Sequence, residues 1–461
     1  MVKDLTQGKP SKVILMFSLP LLLSMVFQQL YNMADSIIAG KMISNNALAA
    51  IGVSTPVTMI YVAIAVGCSG GISVVVANLF GQRKYRSVKT AASTSLVFMF
   101  VLSAVLTVVG VFISTPLVKL LQTPSSIEAD SSAYLRIYTL GLIFVFIYNA
   151  CNAVFTGMGD SITPLILLIC SSVGNVILDV VMAKPLGVQG LAYATLIAQA
   201  VAGVIAFVLV IVKMKKLPDG EEEGTPPLSY AKRTFNFRLL RSVLAISIPG
   251  VCQQSFVSVG QLFVQGLING FGEQTIAAYT AAMKINTFCI ACLVTMANAV
   301  AAFTAQNMGA GDLKRVKQGM RSATLLLCSF ALTIIVLVAV FAKPLTGFFI
   351  NTQDSASAVS SAEVIATGAK FLWITCPFYM FIAVKTTADG VIKGAGKLVQ
   401  FMISTFVDLI LRVALCYILA PSLGFTGICI AWPIGWVIGT ALAVGFYLSK
   451  KWQKSKFAVS A

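Results

Sequence analysis

The sequence predicts an all-α integral membrane protein: twelve transmembrane helices in two pseudo-symmetric six-helix bundles, arranged as parallel repeats. Three observations predict this. Hydrophobic residues make up 58% of the 461, and charged residues only 11%, against about 25% charged in a soluble domain. The apolar residues fall in runs long enough to cross a bilayer. The breaks between those runs carry matching motifs in the first and second halves.

A span needs ~20 mainly apolar residues. Twelve such runs lie at 13–39, 47–78, 90–114, 133–157, 161–183, 189–212, 240–269, 276–307, 319–341, 365–391, 398–420 and 425–449. They must be helices, because lipid offers no partner to an open sheet edge. The first run carries Gln28, Gln29, Asn32 and Asp35 and is too long for a signal sequence, so it reads as a span that stays in the chain.

Basic residues orient the spans. With the first residue inside, the segments on that side hold 24 of the 33 Lys and Arg, and the outside segments hold six. Both termini are therefore expected in the cytoplasm, with the spans in the cell membrane. The net charge of +17 is accounted for as a topology signal, and no nucleic-acid surface is needed. With no His in the chain, His-based metal sites and Ser-His-Asp chemistry are excluded. Of the ten Cys, only Cys289 and Cys292 stand in a CxxC spacing, and that pair lies inside the apolar run 276–307; all ten read as free thiols.

The stretch 213–238 is polar, rich in Pro and Glu, and divides the spans six and six. It separates an N-lobe, 1–212, from a C-lobe, 239–461. The lobes repeat each other. Ser18-Leu19-Pro20 recurs as Ser247-Ile248-Pro249, and Gly81 with Val88-Lys89 recurs as Gly309 with Val316-Lys317. Gly157-Met158-Gly159 recurs as Gly394-Ala395-Gly396, and Gly187-Val188-Gln189-Gly190 as Gly424-Phe425-Thr426-Gly427. The offset is 229 at the first motif, 228 at the second and 237 at the last two; the step from 228 to 237 places nine extra residues in the polar loop Asn351–Glu363. Six spans per repeat is an even number, so both repeats insert the same way, related by an axis along the membrane normal. Two such bundles around a cavity favour a transporter over an intramembrane enzyme.

An ionisable group inside a span costs ~2.5–3.5 kcal/mol on insertion scales, so each needs a reason. Asp35 and Asp179 lie about 33 Å and 27 Å from the inner ends of their spans at 1.5 Å per residue, which brings them to similar depth. Tyr31 and Asn175 stand one turn below them on the same helix faces. No basic residue lies deep in the first six spans to neutralise the pair. Two unpartnered carboxylates in low dielectric share a proton or bind a cation. In the second half, Lys385 with Asp389 and Asp408 with Arg412 are spaced four apart and read as internal ion pairs. Lys284 has no acid nearby in sequence and is expected to pair across helices, for instance with Asp408, or to line a cavity.

The first span with Pro20 and Asp35, the Gly157-Met158-Gly159-Asp160 loop, and Asn175 to Asp179 in the fifth span resemble the multidrug and toxic compound extrusion (MATE) transporters over essentially the whole chain. The resemblance implies secondary active efflux of amphipathic or cationic small molecules in exchange for H⁺ or Na⁺, by a monomer with no other cofactor. It also implies a cation site at Asp35, Asp179 and Asn175, joined by Asn152, Thr195 and Tyr31, with Pro20 as a hinge. One branch of the family has an acid in the seventh span and another in the tenth. The matching stretches here, Val251 to Ser255 and Phe378 to Ile382, have none. The chain thus looks DinF-like rather than NorM-like, and Gln253, Gln254 and Lys284 are left as C-lobe cavity residues. The alternative is a flippase for a lipid-linked precursor or polysaccharide. Such flippases have a strongly cationic cavity, which the first six spans do not supply.

Overall fold

The computed structural model describes residues 4–43, 45–121, 123–218, 234–350 and 358–454, and among these every regular element is helical. The helices are α1 (Pro10–Ile38), α2 (Asn45–Gly81), α3 (Tyr85–Leu120), α4 (Ser125–Leu140), α5 (Leu142–Gly157), α6 (Ile162–Lys216), α7 (Phe237–Asn269), α8 (Glu273–Gly309), α9 (Leu313–Gly347), α10 (Ala358–Thr375), α11 (Tyr379–Gly394), α12 (Leu398–Leu423) and α13 (Phe425–Leu448). The fourth span is α4 and α5 together, bent by 45° at Gly141. The tenth is α10 and α11, joined by a 3-10 turn at Cys376–Phe378. The 55 residues of α6 would reach about 80 Å if straight, at 1.5 Å per residue, more than twice a ~30 Å bilayer core. It contains the fifth and sixth spans, and the described helices thus make twelve.

Gly187 divides α6. Its φ and ψ are 56° and −135°, a region that only glycine enters cheaply. Gly424, 237 residues later, has 58° and −143° and separates α12 from α13. The repeat read from sequence is therefore also a repeat of backbone. Most helices extend beyond the apolar runs. α9 continues to Gly347 and α4 begins at Ser125, because helix persists into the polar boundary where its backbone bonds are already satisfied within the segment.

The 213–238 segment lies partly outside the described residues, as does 351–357 of the loop holding the nine extra positions. At the described end, the Asn236 side chain caps α7 by accepting from the Arg238 and Leu239 amides.

Each half has its own apolar core. Ile72, Leu79, Met99, Phe146 and Phe155 belong to one, and Phe303, Phe371, Tyr379, Trp432 and Trp436 to the other. The cores interleave at the ends of the helices rich in basic residues. Leu5, Ile14 and Phe17 pack into the second core, while Leu239, Val243 and Ile246 pack into the first.

The halves meet at this basic end. Gly81 lies against the Gln306 carbonyl and Gly309 against the Asn78 carbonyl, so closely that no Cβ fits at either. Asn78 Nδ2 donates to the Ala305 carbonyl at 3.3 Å, and Gln306 Nε2 donates to the Gly157 carbonyl at 2.8 Å. Five turns along the same faces, Ile60 of α2 is 55% exposed and Phe288 of α8 is 38% exposed. The two central helices touch at one end and part toward the other, leaving a cleft between the halves.

Candidate functional site

The reversal at Gly187 builds the site. α1 carries Tyr31 and Asp35 one turn apart, and the first limb of α6 carries Asn175 and Asp179 with the same spacing. The chain then doubles back, so that Thr195 on the second limb comes alongside Asn175. Ile38, Ala39, Ala183 and Leu191 form a small apolar cluster beside these residues. It fixes the far end of α1 against both limbs.

Asn175 and Asp179 are almost completely buried. With the Asn175 amide turned to satisfy both its ends, its nitrogen donates to Asp35 Oδ1 at 3.2 Å and to Asp179 Oδ2 at 2.9 Å, and its oxygen accepts from the Thr195 backbone N–H at 3.2 Å. Asp179 and the Tyr31 phenol lie beside the Asp35 carboxyl, and Thr195 lies beside the phenol. Asp179 Oδ1 is buried without a hydrogen-bond partner among the described residues. Two carboxyl groups this close hold a proton or a cation between them. In that orientation Asn175 bridges the carboxylates as a donor; in the other its nitrogen donates to Thr195 Oγ1 at 3.5 Å and its oxygen faces the pair. For a metal ion the ligands would be the carboxylate oxygens with the Tyr31 and Thr195 hydroxyls, joined in the second orientation by the Asn175 oxygen.

Tyr134 of α4 escaped the sequence reading. It stacks on Tyr138 with ring centroids 6.4 Å apart and lies near both carboxyls. Its signal was two tyrosines one turn apart at the polar start of the fourth span.

Other expected residues stand apart from this cluster. Asn152 is half-buried in α5 beside Tyr148, one turn earlier, and no hydrogen bond described joins it to either carboxylate. Pro20 lies inside α1, which stays helical from residue 10 to 38; Ser24 Oγ donates to its carbonyl at 2.9 Å. The irregular backbone comes later, in a π-helical turn at Ala39–Ile43 just beyond Asp35. Such turns recur at functional sites. Gln253 Nε2 donates to Thr405 Oγ1 at 3.4 Å, and Gln254 is exposed one residue on.

The second half corrects two expectations. Lys385 does bond Asp389, at 2.9 Å, but Asp408 does not pair with Arg412. Its Oδ2 faces Lys385 at 3.9 Å, and the Arg412 guanidinium lies 4.2 Å from the centroid of the Trp432 ring. A planar cation stacks well on an indole, and Asp408 is drawn to the ammonium already buried beside it. Lys284 does not reach Asp408; its Nζ lies 5.2 Å from the Phe349 ring centroid.

The model of the MatE family matches residues 20–181 and 249–418, one stretch in each half. "Probable multidrug resistance protein YpnP" of Bacillus subtilis is 25% identical over 98% of both chains. A protein named "FAD transporter" from Shewanella oneidensis is 24% identical over 73% of this chain and 74% of its own length. A solved structure described as an outward-facing multidrug resistance MATE family transporter of the MOP superfamily covers 97% of both chains, with a TM-score of 0.86 and 23% identity.

Proposed function

The chain belongs to the MatE family, a family of transporters and not of enzymes, and on that premise we propose that it is a secondary active antiporter that exports amphipathic or cationic compounds in exchange for H⁺ or Na⁺. The observation that carries this reading is the carboxyl pair, Asp35 and Asp179, bridged by Asn175 within the membrane. A proton needs only the two carboxyls, whereas Na⁺ is better served by more oxygen ligands, so we take the proton as the coupling ion to test first. The drug-resistance name of YpnP, matched along nearly its whole length, supports export of toxic compounds.

The basic end faces the cytoplasm of the cell by the distribution of Lys and Arg. The cleft then opens outward and the inner seam at Gly81 and Gly309 is closed. Asp35 and Asp179 lie toward the open end. A cation from outside loads the pair, changes the preferred position of α1, and favours release of the substrate. Pro20 and the turn at Ala39–Ile43 are where α1 bends. Each charge moving down ~100 mV supplies roughly 2.3 kcal/mol, enough for about a fifty-fold substrate gradient at ~1.4 kcal/mol per decade. Cleft and cation site are both built within one chain, so a monomer suffices.

The test is efflux of ethidium from proteoliposomes, first under a pH gradient without Na⁺ and then under a Na⁺ gradient at equal pH. Movement driven by the pH gradient is expected. No response to either gradient would refute the antiport reading.

A further inference from the structure

The cleft floor contains a cation that the coupling site does not use. Lys393, in the last turn of α11, reaches the boundary between the halves. Its Nζ lies 3.3 Å from Asn298 Oδ1 on α8 and 5.9 Å from the Phe401 ring centroid. On its other side is α2 at Gly70, where a Cβ would stand 3.2 Å from the same nitrogen. Gly70 and Asn298 are equivalent positions of the two repeats, 228 residues apart. Each is eight residues before the seam residues Asn78 and Gln306, so Lys393 sits about 12 Å above the closed end at 1.5 Å per residue. Asn298 is exposed and Lys393 partly so, which is how side chains look when many atoms surround them but one side opens on a cleft.

The acids do not satisfy this ammonium. Among the described residues no carboxylate lies within ion-pairing distance of Lys393. Asp389, one turn earlier, is held by Lys385 at 2.9 Å and by Ser404 Oγ at 2.8 Å. The repeat does not require a base here either. The counterpart of Lys393 is Thr156, whose hydroxyl lies 3.2 Å from that of Ser73. The cleft is thus polarised. The first half holds the buried carboxyl pair, and the second-half floor carries a cation with one amide partner. A lone ammonium in a confined, weakly hydrated site is stabilised by an incoming anionic oxygen.

We propose that Lys393, with Asn298, binds the carboxylate of an amphipathic substrate at the floor of the cleft. Its cargo would then include zwitterionic or acidic amphipaths and not organic cations alone. Gly70 leaves the space in which that group sits. This deepens the efflux reading and rests on it for the direction of transport.

The test uses rhodamine 110, which has a free carboxylate, and rhodamine 123, its methyl ester. Binding to the detergent-purified full chain is read by fluorescence anisotropy, and movement is followed in proteoliposomes under a pH gradient. Wild type should bind the acid more tightly than the ester. Lys393→Gln should weaken the acid about tenfold or more, the loss of a charge-assisted contact, and leave the ester within about twofold. Lys393→Arg should keep most of the preference. Equal binding of the two dyes by wild type overturns the proposal, as does an equal loss of both, or of neither, in Lys393→Gln. A preference for the acid with no driven movement of either dye would keep the floor site and remove the antiport reading. Driven movement of rhodamine 123 with no preference for the acid would do the reverse.

Discussion

Asp35, Asn175, Asp179 and Thr195 converge in the first half; the positions that match them by the repeat offsets in the second are Val264, Arg412, Cys416 and Trp432. The backbones agree closely, down to the paired glycines at 187 and 424 with φ of 56° and 58°. The chemistry does not. Where the first half holds two carboxyls that need a cation, the second holds a guanidinium stacked on Trp432. That cation is covalently part of the chain and cannot leave. Val264 and Cys416 are buried in the apolar core beside it. One duplicated scaffold therefore holds the site we propose for an exchangeable cation in one half and a fixed charge at the matching place in the other. The nearby Lys385, Asp389 and Asp408 satisfy one another instead of awaiting an ion.

The sharpest way to break this comparison is to make the first half resemble the second. Asn175→Arg places a permanent cation between Asp35 and Asp179. Gradient-driven efflux should vanish while the protein still folds, as read by dye transport alongside size-exclusion chromatography.

The second-half cluster should fail in a different manner. Lys385→Ala leaves Asp389 and Asp408 buried without their cation, a loss of about 3–5 kcal/mol for a broken buried pair. The expected outcome is a clearly lower Tm in detergent, with whatever protein remains folded still responding to the gradient. Replacing Lys385 and Asp389 together by Leu should be milder than Lys385→Ala alone, because one buried carboxylate, Asp408, is left without its cation instead of two.

The smallest effects belong to what the halves share. Gly187→Ala and Gly424→Ala each force a side chain into a backbone region costing about 1–3 kcal/mol. Similar drops in Tm are expected for the two. Only Gly187→Ala should also weaken ion coupling, since that reversal brings Thr195 to Asn175.

The fold was legible because the membrane imposes it. Apolar runs of span length admit one secondary structure, and glycine motifs at a fixed offset reveal the duplication. Asp35, Asn175 and Asp179 could be singled out as polar groups within apolar helices, spaced to share faces. Contacts that depend on how helices rotate against each other could not. Arg412 four residues after Asp408 reads as an ion pair, yet rotation of α12 turns it onto Trp432. Tyr134 lies at the polar first residues of the fourth run and reads as boundary. The interleaving of Leu5, Ile14 and Phe17 with the second core leaves no mark in hydropathy, because apolar residues look alike whichever half they bury against.

The central claim is that cation coupling resides in the first half. The most direct measurement is pH-gradient-driven efflux of ethidium in proteoliposomes, with equal amounts of folded wild type, Asp35→Asn, Asp179→Asn, Asp389→Asn and Asp408→Asn. Asn keeps the volume of each carboxyl and fixes it as neutral. Asp35→Asn and Asp179→Asn should bind dye but not pump it, whereas Asp389→Asn and Asp408→Asn should retain part of the driven transport. Pumping at wild-type rates by both first-half variants, or complete loss of coupling in the well-folded second-half variants, would contradict the account.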